Sequence, residues 1–167
     1  MAKIGLFYGS DTGNTESVAQ RLINVLGKEN FDLIEVTDTS AQTVSSYDKL
    51  ILATSTWGDG DLQSDWEDFV DTLDDVDFSG KTVALIGLGD AEGYEDTFCN
   101  ALSLLHEKVK DATLVGQTST DGYEYEDTTA VVDDKFLGLV IDEENQDDLT
   151  DERIENWAEQ IKADLGL

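Results

Sequence analysis

Short apolar runs alternate with stretches of helical period along almost the whole chain, and that alternation limits the possible folds more than any other feature. The run Ile4–Tyr8 ends at Gly9. Asn14–Leu26 follows, with Val18, Leu22, Val25 and Leu26 on one helical face and Gly27 placed to end it. Residues 33–36 form a second short run. Residues 50–54 are continuously apolar, as a strand covered on both faces must be. Trp66, Phe69, Val70 and Leu73 recur at helical spacing. Residues 83–88 read as another buried strand, and Phe98, Leu102, Leu105 and Val109 mark the next helix. Thr113–Val115 starts a fifth strand, which residues 136–141 continue after an interruption. Thr150 precedes a last helix with Ile154, Trp157, Ile161 and Leu165 on one face. Asp151 and Glu152 sit where its dipole favours anions.

Strand and helix joined by short links predict an α/β domain: a parallel sheet covered by helices on both sides, in one doubly wound unit spanning residues 1–167. A chain of 167 residues is long enough to bury a real core. In such sheets ligands sit beyond the carboxyl ends of the strands where the strand order reverses. The loops after the first, third and fourth strands are therefore where function is expected. Residues 121–134 are polar, acidic and without clear period, and read as a surface excursion inside the fifth strand.

Charge narrows the partners. The chain carries 38 Asp and Glu against 10 Lys and Arg, a formal net charge of −28. Such a surface repels nucleic acid and anionic lipid and is steered toward basic partners at rates that fall with salt. Solubility alone would also explain the excess. No apolar run is long enough to span a membrane. The opening residues lack a signal-peptide pattern, and Cys99 is the sole cysteine, so the expectation is a cytoplasmic protein without membrane insertion.

The loop after the first strand reads Gly9-Ser10-Asp11-Thr12-Gly13-Asn14-Thr15. Backbone N–H groups converge at such a helix start, where they bind phosphate. Ser10, Thr12 and Thr15 add hydroxyl donors, and Gly13 permits a left-handed turn. No Lys follows the glycine, so this is not a nucleoside-triphosphate loop. Simple helix capping uses the same residue types.

The third strand runs into Ser55-Thr56-Trp57-Gly58-Asp59-Gly60-Asp61, and the fourth into Gly87-Leu88-Gly89-Asp90-Ala91-Glu92-Gly93-Tyr94. Two aromatics on neighbouring loops can sandwich a flat ring, each stack worth about 0.5–1.5 kcal/mol beyond its area. Either aromatic alone reads more readily as core packing than as a ligand contact. Together, beside a phosphate loop, they favour a flavin. His106 lies in a helix and reads as surface or packing. Trp66 and Trp157 read as core. No catalytic set and no metal-ligand set is visible.

These motifs resemble those of the flavodoxin family, long-chain type. Ser10-Asp11-Thr12-Gly13-Asn14-Thr15 is similar to its phosphate loop. Thr56-Trp57, Gly89-Asp90 and Gly93-Tyr94 match its two ring-covering loops. The family often has proline where Ser55 stands. The stretch between Gly116 and Phe136 resembles the long-chain insertion, and Asp142-Glu143-Glu144-Asn145-Gln146 the last loop before the terminal helix. The resemblance covers the whole chain. It implies a flavodoxin-like three-layer sandwich with strand order 2-1-3-4-5, the fifth strand interrupted by a loop.

It also implies non-covalent FMN, held by Ser10, Asp11, Thr12, Gly13, Asn14, Thr15, Ser55, Thr56, Trp57, Gly58, Asp59, Gly60, Leu88, Gly89, Asp90, Tyr94, Phe98 and Cys99. Glu144 is a further candidate, toward the ribityl chain. The implied role is a monomeric low-potential one-electron carrier, not an enzyme, working through semiquinone and hydroquinone states. Its implied partners are redox proteins with basic docking faces: a ferredoxin/flavodoxin-NADP reductase, a photosystem, nitrogenase or other reductive acceptors.

In the family the peptide at Gly58-Asp59 turns over on one-electron reduction, and glycine makes that flip cheap. Asp59, Asp61, Asp65 and Asp90 crowd the same end, where they would oppose an anionic reduced flavin. Three rivals share the architecture. A response-regulator receiver would need acidic residues where Ser10 and Ser55-Thr56 stand. An FMN-dependent reductase would need a substrate pocket and catalytic side chains. A non-redox phosphate-binding module would be colourless.

Overall fold

A computed structural model describes residues 3–9, 13–57, 60–94 and 96–167, with Trp57 described in its backbone only. Its elements, in chain order, are β1 (Ile4–Tyr8), α1 (Asn14–Leu26), β2 (Phe31–Glu35), α2 (Ala41–Ser45), β3 (Lys49–Trp57), β4 (Asp61–Leu62), α3 (Ser64–Phe69), β5 (Thr82–Leu88), α4 (Ala101–Lys108), β6 (Thr113–Val115), β7 (Thr118–Ser119), β8 (Val131–Val132), β9 (Lys135–Phe136), β10 (Leu139–Ile141) and α5 (Thr150–Ile161).

The main sheet runs β2-β1-β3-β5 with parallel pairing throughout, and both β6 and β10 lie along the far side of β5. Strands alternate their side chains between faces, and the core divides accordingly. Phe7, Leu50, Leu52, Val83 and Leu85 point to one side, where Trp66, Phe69, Leu102 and Leu105 of α3 and α4 cover them. Leu6, Tyr8, Ile51, Ala53, Ala84 and Ile86 point to the other, under Val18, Leu22, Ile154, Trp157 and Ile161 of α1 and α5. This is the doubly wound α/β sandwich with order 2-1-3-4-5, the fifth strand being β6 and β10 together.

That strand is broken in a definite way. Thr113–Val115 pairs with residues 82–84 of β5 and Leu139–Ile141 with residues 86–88, so one edge is built from two pieces of chain. The chain leaves at Gly116 (φ +84), whose carbonyl accepts from the indole Nε1 of Trp157 at 2.8 Å. It returns past Gly138, where a Cβ would lie 1.9 Å from the carbonyl oxygen of Leu85; only glycine passes so close to a strand backbone. Phe136 is therefore not part of the edge strand, as its apolar neighbours suggest. It pairs with Thr118 and Val131 in a separate antiparallel sheet of order β7-β9-β8.

Nor is the excursion purely a surface loop. Tyr125 stacks on Phe98 with ring centroids 5.5 Å apart, Tyr123 meets Phe136 edge-on at 5.0 Å, and the Arg153 guanidinium lies 4.0 Å above the Tyr123 ring. Its acidic residues face water while its aromatics turn inward, a pairing that no single period reports.

Other elements extend or shorten what the periodicity suggests. β3 runs on to Trp57, and the helix expected through Leu73 becomes a tighter turn after Phe69. α2, too short to show a period, is capped by Ser40, which accepts from the N–H of Thr43. Both core tryptophans are buried with their N–H satisfied, Trp66 by the carbonyl of Ala53 at 2.7 Å. No helix among the described residues is long and apolar enough to cross a membrane.

Candidate functional site

Because the strands are parallel, the carboxyl ends of β1, β3, β5 and β10 share one edge, and the loops leaving them meet there. Ser10, Asp11, Thr12, Gly58 and Asp59 lie outside the described residues. The rest of the expected set is brought to this edge.

At the first loop, α1 starts directly after Gly13, whose φ is +87. Among the described residues nothing lies within 4 Å of where its Cβ would be. Asn14 and Thr15 form the first turn, Thr15 buried. Tyr8, the last residue of β1, donates to Glu35 at 3.2 Å. Burial above all, then the charges of Glu16 and Glu35, keep that hydroxyl protonated well beyond the usual tyrosine range.

The second loop is flanked by paired strands. Ser55, Thr56 and Trp57 belong to β3, and Thr56 and Trp57 pair with Leu62 and Asp61 of β4 in a hairpin. Gly60 (φ +96) packs against Asn100, whose side chain would obstruct any Cβ at that position. Thr56 Oγ1 accepts from the N–H of Ala101 at 3.2 Å. Asn100 Oδ1 accepts from the N–H of Thr129 at 2.7 Å, so the β8–β9 insertion braces this hairpin through one asparagine.

In the third loop, Leu88 is the buried end of β5, and Gly89 donates to the carbonyl of Ile141 at 3.0 Å. Asp90 Oδ1 accepts from the N–H of Gly93 at 2.7 Å, the N–H of Glu92 at 3.1 Å and the amide of Asn145 at 2.8 Å. Burial raises the Asp90 carboxyl, but these donors outweigh it and hold the group below the ordinary carboxylate range. The backbone N–H of Tyr94 closes the turn on the carbonyl of Asp90, and the ring is left 44% exposed, the one exposed aromatic among the described residues.

Phe98 and Cys99 do not share that exposure. Phe98 is fully buried among Tyr123, Tyr125 and Phe136, and its N–H and carbonyl are taken by Asp127 and Thr128. Cys99 is fully buried in a left-handed conformation (φ 54), its Sγ against Gly89. Burial, then the nearby Asp142 charge, push its thiol well above the usual range. Both support the loop from beneath rather than offering surface at its rim. Thr97 Oγ1, next to them, is buried without a hydrogen-bond partner among the described residues.

Sequence reasoning missed the residues that tie the loops together. Asp142, fully buried at the end of β10, accepts from the N–H groups of Ala91, Glu144 and Asn145 and from the Asn145 amide. An Asp just after a strand and followed by a polar run is the available signal. Gln63, also fully buried, caps α3. The rim itself is acidic, with Asp61, Glu92, Asp96 and Glu144 exposed. Lys3, Lys49 and Lys81 stand before or at the opposite, amino ends of β1, β3 and β5.

Comparison with known proteins agrees with this architecture. The family model described as Flavodoxin matches residues 6–157. The flavodoxin of Helicobacter pylori is 49% identical over 163 residues, 98% of each chain, and that of a Nostoc species 47% identical over 167 residues, 99% of this chain and 98% of that one. The Fusobacterium nucleatum flavodoxin solved bound to flavin mononucleotide superposes with a TM-score of 0.93 at 36% identity, covering 98% of this chain and 99% of its own. With its sheet order, its interrupted edge strand and this similarity over nearly its full length, the chain belongs to the flavodoxin family.

Proposed function

We propose that the protein holds one FMN at the carboxyl edge of its sheet and carries single electrons between redox enzymes. The observation that carries the reading is the exposed Tyr94 ring, held by hydrogen bonds within its turn, at the same edge as the start of α1 after Gly13. An anion at that helix start and a flat ring against Tyr94 are what a flavin phosphate offers. The relatives' names and the FMN bound to the Fusobacterium protein support it.

In this reading Ser10, Asp11, Thr12, Gly13, Asn14 and Thr15 hold the phosphate with backbone N–H and hydroxyl donors. Trp57 and Tyr94 flank the ring, with Ser55, Thr56, Gly58, Asp59, Gly60, Gly89 and Asp90 along its edge. Leu88, Phe98 and Cys99 support the second of these loops. The bound flavin supplies the redox chemistry, two one-electron steps. The protein's own part is to exclude water from the ring and to set the local charge. Carboxylates at Asp61 and Asp65 disfavour the added negative charge of full reduction, which lowers the second potential. The acidic rim and the opposite placement of the lysines suit docking to basic-faced donors and acceptors.

An absorption spectrum recorded during anaerobic photoreduction tests this. The expected protein is yellow, binds one FMN per chain, is reduced in two separable steps, and oxidises NADPH only when a reductase is added. A colourless protein that refuses FMN removes the reading. NADPH oxidation by the isolated chain would make it a reductase.

A further inference from the structure

Gln63 is fully buried at the start of α3, between the loop after β1 and the hairpin after β3. Its Oε1 accepts from the N–H of Asp65 at 3.1 Å and of Trp66 at 3.2 Å, and its Nε2 donates to Asp65 Oδ2 at 3.0 Å. The same amide lies against Gly9. A Cβ at Gly9 would stand 2.0 Å from Oε1, 2.9 Å from Cδ and 3.1 Å from Trp66 Cδ1. Gly9 is the residue from which the chain enters Ser10–Thr15.

Capping alone does not require this arrangement. Serine or aspartate caps a short helix with a smaller side chain and a smaller loss of rotamer freedom. Burying a long amide is costly unless every polar atom is engaged. What the long side chain adds is reach. It fills the space between Gly9 and α3, so the residue from which the chain leaves β1 rests on the element that follows the β3–β4 hairpin.

We propose that Gln63 is a positioning residue that sets the spacing between the loop after β1 and the hairpin after β3. A ligand's phosphate and ring thereby bind as one bivalent unit. The proposal rests on the FMN reading above. Two contacts on one ligand reinforce each other only when the span between their sites matches the ligand, and the gain disappears when it does not. A wedge of fixed length between the two loops keeps that span constant. Glycine at position 9 is the other half of the device, since any side chain there would displace the wedge.

The test compares dissociation constants for FMN and for riboflavin, the same ring without the phosphate, by quenching of flavin fluorescence. Four chains are used: wild type, Gln63→Ser, Gly9→Ala and the double variant. Serine keeps a cap for α3 but vacates the space beside Gly9, whereas the added methyl pushes into Gln63. In each single variant the preference for FMN over riboflavin is expected to fall by about tenfold or more, while riboflavin affinity changes by less than about threefold. In the double variant, where the methyl occupies the vacated room, much of the preference returns, a coupling that only touching residues show.

Equal losses for both ligands, or a preference that survives Gln63→Ser, overturn the proposal. If Gly9→Ala does not fold, Gln63→Ser alone decides. A wild-type chain that binds FMN and riboflavin equally well instead overturns the phosphate reading of the first loop.

Discussion

The side-chain amide of Asn145 donates to Asp90 Oδ1 at 2.8 Å, across 55 residues of chain, and the same nitrogen lies 2.9 Å from Asp142 Oδ2. One asparagine thus bridges two carboxylates and fastens the turn that presents Tyr94 to the loop after β10. Asn145→Ala removes the bridge, and a hydrogen bond to a charged group is worth about 1.5–3 kcal/mol. FMN binding is expected to weaken by roughly tenfold or more, since 1.4 kcal/mol is a factor of ten. Isothermal titration of the FMN-free protein measures it, and unchanged affinity would show that the Tyr94 turn stands without the bridge.

Tyr94 offers a cleaner separation of binding from folding. Its ring is 44% exposed, so Tyr94→Ala removes little packing from the FMN-free protein. Stability is expected to stay within about 0.5 kcal/mol, as for surface positions generally. FMN affinity should fall by about 0.5–1.5 kcal/mol for the lost stack, and by more where ring area was covered. Urea unfolding of the FMN-free chain and FMN titration are the paired measurements.

Lys81 is almost fully buried, and its Nζ donates to the carbonyls of Ser45 at 2.8 Å and Tyr47 at 2.6 Å, closing the end of α2. Lys81→Met keeps the stem and deletes the donors, leaving two carbonyls unsatisfied at about 1–3 kcal/mol each. A loss of roughly 2–4 kcal/mol in urea unfolding is expected, with FMN affinity of the folded fraction unaffected because α2 lies away from the ligand edge.

The alkaline limb of stability should depend on Tyr47. Its hydroxyl donates to Asp32 Oδ2 at 2.6 Å. Burial first, then that bond and the Asp32 charge, push its pKa up to about 12. The folded form therefore holds its proton where the unfolded chain, at roughly 10, has begun to lose it. The contribution is complete below that unfolded value and is lost as pH rises toward 12. Tyr47→Phe should flatten the fall in unfolding free energy over this window and leave the curve below pH 9 parallel to wild type.

Carboxylates on the rim should set the second potential. One unit charge at ~10 Å is worth about 0.4–1.7 kcal/mol for effective dielectric between 80 and 20, or roughly 20–70 mV for one electron. Neutralising Asp61 and Asp65 together (D61N, D65N) is expected to raise the second potential by tens of millivolts and the first by less. The shift should shrink as salt is added. Spectroelectrochemical titration decides, and a salt-independent or absent shift would mean these groups are screened by water.

Much of the architecture was legible because burial on one face leaves a local mark. The continuous apolar runs at residues 50–54 and 83–88 announced strands covered on both sides, and the spacing of Val18 and Leu22 announced α1. Hydroxyls and glycine after the first strand and aromatics after the third and fourth pointed to the carboxyl edge of the sheet, where the loops leaving the parallel strands meet. The inward turn of Tyr123 and Tyr125 was not legible, because acidic neighbours conceal them in any window average. The splitting of Phe136 from β10 depends on Gly138 crossing Leu85, a contact 53 residues apart in the chain.

The sequence by itself determined the main parallel strands and the longer helices, which loops carry donors and aromatic rings, and the family to which these belong. Periodicity and side-chain type are local properties, and local properties survive in a string of letters. Only the tertiary structure decided how those loops are held: Asn145 between Asp90 and Asp142, Asn100 under Gly60, and Gln63 filling the space beside Gly9. Each joins residues that come within reach only after the sheet has formed. Their energetics come from burial and hydrogen-bond satisfaction at that meeting point, which no neighbouring residue in the chain encodes.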